Sequence, residues 1–289
     1  MKNLRNWLTT SEISKIFKVN VSTIKRWIDK GFFRVSVTSG GHRRVDPKDF
    51  KAFIAKYPKL AGNSYVIKKI IKGKELNKKA LNWQNYYIYL YSNSSLNVQN
   101  KLEEMFLLNV SVVDILQNVV APTLVHIGKL WQKGKISIYD EHRMTFLLRM
   151  DLLGLEKLIS GRIGFGSPTA VLGCVAGDNH EIPLLMLHLL LKQQGYRTVI
   201  LGINNPASEI IHASRKEYAS LICLTQTFSK IRLDSYFDKV YKYAKSSKVW
   251  LASGGAGWPI TLRKSKKGYR YFDSLSEFNK FSKKLGKPV

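Results

Sequence analysis

Five groups of residues in this 289-residue chain carry side chains whose types and spacing could do chemistry. Thr23, Lys25 and Arg26, and further on Arg43 and Arg44, offer hydroxyl and cationic groups suited to nucleic-acid phosphate and base edges. Asp178 and His180 put a carboxylate two residues from an imidazole. Neutral imidazole is a good transition-metal ligand, and a carboxylate on its other nitrogen fixes the tautomer and raises its basicity. Thr225 and Thr227 supply hydroxyls, while Gly254 and Gly255 remove side chains where something must approach the backbone. Trp131, followed after nine residues by Glu141 and His142, forms a fifth group.

The elements that must position the first group are short helices. Thr9 and Glu12 have capping-box spacing, and Ile13, Ile16 and Phe17 give one apolar face, which predicts a helix over Thr10–Phe17. After the turn at Lys18 to Val21, Ser22 can cap a second helix with Ile24, Trp27 and Ile28 inward and Gly31 at its end. Thr23, Lys25 and Arg26 then face outward, the layout of a helix-turn-helix reader of the major groove. Phe32 to Val37 is strand-like, and Gly40-Gly41 permits a hairpin that projects Arg43 and Arg44 as a wing. From Tyr57 through Pro58, Gly62, Asn63 and Ser64 to about Lys74 the composition is that of a linker.

Residues 75–91, 96–108, 111–133 and 137–160 carry helical patterns, which predicts a four-helix bundle. Pro122 should kink or break the third segment, and Ser137 with Asp140 should cap the fourth. Trp83, Tyr86, Tyr87 and Phe106 read as bundle core. Trp131 near one helix end and Glu141-His142 in the next helix's first turn could meet at one mouth.

From Thr169 strands and helices alternate: Ala170 to Ala176, a helix over Pro183 to Gln194, Thr198 to Leu201, a helix near Pro206 to Tyr218, and Leu221 to Thr225. A helix near Leu233 to Ala244, the strand Val249 to Ala252 and a helix near Leu275 to Leu285 follow. Such alternation builds a parallel doubly wound sheet, flavodoxin-like if the order is 2-1-3-4-5. The Asp178 to Pro183, Thr225 to Thr227 and Gly254-Gly255 stretches all fall at strand carboxyl ends, where these sheets bind ligands. Their position points to one shared site.

The formal charge of +27 draws the chain to polyanions. It is spread: residues 1–57 hold 13 Lys and Arg against 4 acids, and residues 228–289 hold 15 against 4. Solvated basic faces account for much of it, so the charge does not locate a partner. Cys174 and Cys223 each lie in an apolar run and form neither a disulfide scaffold nor a metal cage. No run of about 18 apolar residues or secretion signal is visible, so a soluble, cytoplasmic protein without membrane contact is expected.

The helix-turn-helix followed by Gly40-Gly41-His42-Arg43-Arg44 resembles the MerR-type and excisionase-type winged helix family, over about residues 5 to 57. The resemblance implies that Arg43 and Arg44 hold phosphate or reach the minor groove, and that Thr23, Lys25 and Arg26 lie at the major groove of a double-stranded operator.

The sheet motifs, in turn, resemble those of cobalamin-binding domains, Asp-x-His-x-x-Gly, Ser-x-Leu and Gly-Gly. Here 41 residues (184–224) separate the first two blocks and 26 (228–253) the last two, as in that family. The resemblance implies cobalt ligation by His180, with Asp178 behind it and Thr225, Thr227, Gly254 and Gly255 along the cofactor tail. Pro183 stands in place of the motif's Gly and Thr227 in place of its Leu.

Trp131-x9-Glu141-His142 resembles the helical cap element of CarH/LitR-type regulators, which covers the upper face of adenosylcobalamin. The whole pattern is then identified with that family: 1–57 a winged helix-turn-helix, 58–74 a linker, 75–165 a bundle cap, and 166–289 a Rossmann-like cobalamin domain. A cobalamin-binding regulator, a repressor and a dimer or tetramer, is implied, with light acting on adenosylcobalamin. Gln132 stands where light-sensing members carry a His, and an amide is a poorer cobalt ligand. Two alternatives stay open: a corrinoid-carrier module of a methyltransferase or mutase, and a regulator acting through protein contacts without cofactor.

Overall fold

A computed structural model describes residues 8–17, 19–37, 40–57, 82–93, 101–107, 110–159, 163–228 and 233–285. The linker expected over 58–74 lies outside the described residues.

The N-terminal unit comprises β1 (Leu8–Thr9), α1 (Thr10–Phe17), α2 (Val21–Asp29), β2 (Val35–Val37), β3 (Arg43–Val45) and α3 (Pro47–Lys56). α1 has the expected bounds, but Thr9 lies in β1, paired with Arg44 of β3. α2 is capped by Asn20, not Ser22: the Asn20 side chain accepts from the Ser22 amide at 3.0 Å. Asn is as good a cap as Ser, and the helix starts two residues earlier than a cap at Ser22 would allow. The strand expected over Phe32 to Val37 is shortened to β2, because Phe33 turns into the core with Ile13, Phe17, Ile24, Ile28, Val45, Phe50 and Phe53. Gly31 and Gly41 both hold positive φ (75° and 74°), at the end of α2 and in the hairpin.

α4 (Trp83–Ser92), α5 (Lys101–Leu107), α6 (Val112–Ile115), α7 (Ala121–Gln132) and α8 (Ile138–Leu158) form the bundle. Between α6 and α7, Leu116–Val120 is one π-helical turn, and Pro122 follows inside the first turn of α7. Proline has no N–H to give and its ring crowds the carbonyl four residues back, so the widened turn accommodates it without breaking the rod. The turn carries Gln117, whose Oε1 accepts from the Leu275 amide at 2.8 Å and so ties the bundle to the last helix of the chain. Ser137 and Asp140 form the expected capping box of α8. Tyr86 is buried and donates to Asp151 at 2.9 Å. Burial pushes the Asp151 carboxyl up to about 7, against the opposing effect of that hydrogen bond.

The C-terminal unit alternates β4 (Thr169–Val175), α9 (Ile182–Gln193), β5 (Arg197–Asn205), α10 (Ala207–Lys216), β6 (Leu221–Thr225), α11 (Asp234–Ser246), β7 (Trp250–Gly254), β8 (Tyr269–Phe272) and α12 (Leu275–Leu285). All strands pair in parallel in the order β5-β4-β6-β7-β8, the 2-1-3-4-5 arrangement. The sequence reading missed β8, whose Tyr269 and Phe272 are buried. β5 runs four residues beyond Leu201, to Asn205. Along β4, Ala170, Leu172 and Cys174 enter the core shared with α9 and the bundle residues Leu148, Leu152 and Leu155, while Val175 enters the opposite core with Ile210 and Phe237. This two-sided burial is why the strands read as continuous apolar runs. Bundle and sheet thus share one apolar core. Among the described residues, no helix is long and apolar enough to cross a membrane.

Candidate functional site

β4 ends in a turn that fixes Asp178. Asn204, with φ of 53°, donates its amide to the Asp178 carbonyl at 3.0 Å, and its side chain accepts from the Gly177 amide at 2.7 Å. The Asp178 side chain is fully buried and both of its oxygens are occupied. Oδ1 lies 2.5 Å from His180 Nδ1 and accepts from the His180 amide at 3.1 Å, while Oδ2 accepts from the Thr227 amide at 2.6 Å. A buried carboxylate makes Nδ1 the protonated nitrogen and directs the lone pair of a neutral ring to Nε2. The bond to Asp178 raises the His180 pKa, burial opposes the shift, and the charges of Asp178 and Glu141 add to it. The imidazole is half exposed and stacks on Phe228, 5.5 Å between ring centroids with 19° between planes.

Thr225 is buried and donates to Cys174 Sγ at 3.4 Å, and the Cys174 thiol donates to the His180 carbonyl at 3.3 Å. Gln226 Oε1 and Tyr236 Oη are buried without a hydrogen-bond partner among the described residues. Gly255 holds φ of 106°, and a Cβ there would lie 2.2 Å from the Gln226 carbonyl oxygen. Its missing side chain is therefore required by the neighbouring β6 loop. The Gln226 amide donates to the Gly254 carbonyl at 3.1 Å, which closes the two loops into one rim.

From the bundle, Trp131 is an exposed ring one residue before the end of α7, Glu141 lies in the first turn of α8, and His142 follows it. Glu141 accepts from Thr145 at 2.9 Å and pairs with His142 Nε2 at 3.5 Å. Its charge acts on His180, and two turns further along α8 Arg149 pairs with Glu181 at 3.2 Å, so this helix passes over the His180 loop. Among the described residues, Trp131 forms no hydrogen bond or ring contact with Glu141 or His142. Pro183 occupies the first turn of α9, where a missing N–H is tolerated. His188 is structural: it bonds Thr198 at 2.7 Å and pairs with Glu156 at 3.2 Å.

The residues present fit a corrinoid: an imidazole oriented through Nδ1 with Nε2 open, two unpaired buried polar atoms on the β6 strand end and α11, and a bundle helix overhead. Two surface concavities lie elsewhere. One runs between α10 and α11, and the other is lined by Thr10, Lys25, Asp29, Arg43 and Arg44 in the winged unit. Thr23 is half-buried, Lys25 and Arg26 are exposed, and Arg43 pairs with Asp29 of α2. Sequence reasoning missed Phe228, Asn204 and Asp29. An Asn-Asn-Pro strand end and an acid among basic residues were the signals available.

The class defined by this fold is a helix-turn-helix unit joined to a helical-bundle and doubly wound sheet pair of the corrinoid type. Residues 7–58 match the helix-turn-helix domain family, and residues 97–151 match the B12 binding domain family. The chain is 31% identical over 107 residues to the HTH-type transcriptional repressor CarH of Myxococcus xanthus, covering 36% of this chain and 34% of that protein. It is 29% identical over 110 residues to the HTH-type transcriptional repressor CarA of the same organism, covering 38% and 37%. The matched segments thus span about a third of the length of these curated relatives. The monomethylamine corrinoid protein of Methanosarcina barkeri shares the fold, with TM-score 0.58 at 13% identity, over 72% of this chain and 99% of that one.

Proposed function

We propose that this chain is a DNA-binding transcriptional regulator, a repressor, that holds cobalamin between bundle and sheet, with His180 Nε2 as the lower cobalt ligand. The observation that carries the reading is the Asp178–His180 pair at 2.5 Å beneath a B12-type bundle in a chain that also bears a winged helix. We assign 1–57 to DNA, 58–74 to the linker, 75–165 to the cap and 166–289 to the cobalamin domain. In the cap, Trp131, Glu141 and His142 cover the upper face. On the sheet, Thr225, Thr227, Gly254 and Gly255 border the tail.

Adenosylcobalamin is the favoured form, because the exposed indole of Trp131 near the end of α7 suits a bulky nucleoside. When bound, that cofactor supplies a photolabile cobalt–carbon bond, and light would act there. Occupancy would shift a homo-oligomer between states of different DNA affinity only if those states bind cofactor unequally. The cytoplasm is the expected compartment for such a regulator.

The corrinoid fold also suits a methyl carrier. The fused winged unit favours regulation over that reading. Absorbance spectra of the full chain titrated in the dark with adenosylcobalamin test the proposal. A base-off, His-ligated spectrum with saturable binding is expected. Free-cofactor spectra throughout would overturn it.

A further inference from the structure

We propose that Asp29 is the positioning residue of the wing: it holds Arg43 against α2 and leaves Arg44 and Lys25 as the cations that meet the phosphate backbone. Its use rests on the DNA-binding reading above; the tether itself rests on geometry. Arg43 and Val45 are two apart on β3 and share a face, and Val45 is fully buried in the domain core. Arg43 is therefore directed toward the body of the unit and Arg44 away from it. On the inward side Arg43 Nη1 meets Asp29 Oδ1, with both side chains about half exposed.

An acid at this place is disfavoured on two counts. Asp29 is the last residue of α2, where the helix macrodipole opposes negative charge, and it lies beside Lys25 and Arg44 in the concavity that would face a polyanion. A partner that uses the charge removes both objections. The wing needs such a partner, since β2 and β3 are three residues each and the hairpin turns through Gly41. Without the tether its attitude to the recognition helix rests on few backbone bonds.

The test has two arms on the full chain. Hydrogen exchange at residues 40–45 reads the tether without DNA, and Asp29→Asn should speed it roughly threefold to fivefold, the scale of a part-exposed ion pair. Unchanged exchange overturns the tether. Binding of a fluorescent mixed-sequence duplex across a salt series reads its use. Asp29→Asn and Arg43→Ala should each weaken binding by a similar factor with the salt slope unchanged, and the double variant should be no worse than either.

The charge swap Asp29→Arg with Arg43→Asp should restore most of the affinity, which a merely structural loss would not allow. Stronger binding by Asp29→Asn with a steeper salt slope overturns the proposal, because Arg43 then serves DNA better when free. Arg44→Ala and Lys25→Ala are the control: if neither affects binding, the DNA reading fails, and the exchange arm alone decides the tether.

Discussion

Asp178 Oδ1 and His180 Nδ1 lie 2.5 Å apart, and the second oxygen of that carboxylate accepts from the Thr227 amide. One buried side chain thus sets both the tautomer of the imidazole and the position of the β6 loop. His180→Ala should abolish the His-ligated spectrum and weaken cobalamin binding at least tenfold, a ligand-loss effect. Asp178→Asn should weaken it less but also lower the melting temperature, since Thr227 and His180 both lose an ionised acceptor. A parent-like spectrum and affinity in His180→Ala would remove the lower-ligand assignment.

Gly255→Ala tests the rim. With φ at 106° and the Gln226 carbonyl 2.2 Å from the new Cβ, the loops must separate, at a cost of about 3 kcal/mol or more in urea unfolding. Gly128→Ala is the control: it lies inside α7 with nothing within 4 Å, and should be neutral or stabilising by up to about 1 kcal/mol. Equal effects would show that the Gly255 contact is not limiting.

Asp151 predicts a pH dependence of the bundle. Its folded pKa, raised to about 7, exceeds the ordinary carboxyl value, so the native state holds the proton more tightly than the unfolded chain. That stabilisation is complete below the ordinary value, declines as pH rises toward about 7, and is flat beyond. The decline should amount to a few kcal/mol, because each tenfold difference in proton affinity between the folded and unfolded chain is worth roughly 1.4 kcal/mol. Denaturant midpoints from about pH 4 to about pH 8 should show it in the parent, and Asp151→Asn should flatten the profile. A parent profile that rises over this range would contradict the burial assignment.

The double change Arg43→Ala and Arg44→Ala should weaken binding to every duplex and make its salt dependence shallower by about one phosphate contact, because only Arg44 is free to release counterions. A drop by two contacts would place Arg43 on the DNA as well.

Gln132→His should lengthen retention of cofactor after illumination of an adenosylcobalamin complex, since imidazole is a far better cobalt ligand than an amide. Measuring cobalamin retained on a desalting column after light would check this. Equal retention would exclude position 132 as a ligand position.

Local chemistry made several features legible in the sequence. α1 followed from its apolar spacing, the α8 capping box from Ser137 and Asp140, and β4 from a run of seven buried residues. The three blocks at strand ends predicted one site because parallel strands all point their carboxyl ends the same way. The four strands read from the chain left β8 out, for Tyr269 to Phe272 is a short edge strand that pairs on one side only. Asn20 displaced Ser22 as the cap because two good capping residues stood two apart, and only the packed helix register chose between them.

The residue types alone determined that an imidazole beside a carboxylate, a Gly-Gly step and a basic wing were present. Only tertiary structure decided which nitrogen of His180 is held, that Gly255 yields space to Gln226, and that Arg43 is tied to Asp29. The physical reason is range. Caps and periodic faces act within a few residues, whereas the Arg43–Asp29 and Thr227–Asp178 contacts join atoms 14 and 49 positions apart in the chain, brought together only when the winged unit and the sheet bury their cores.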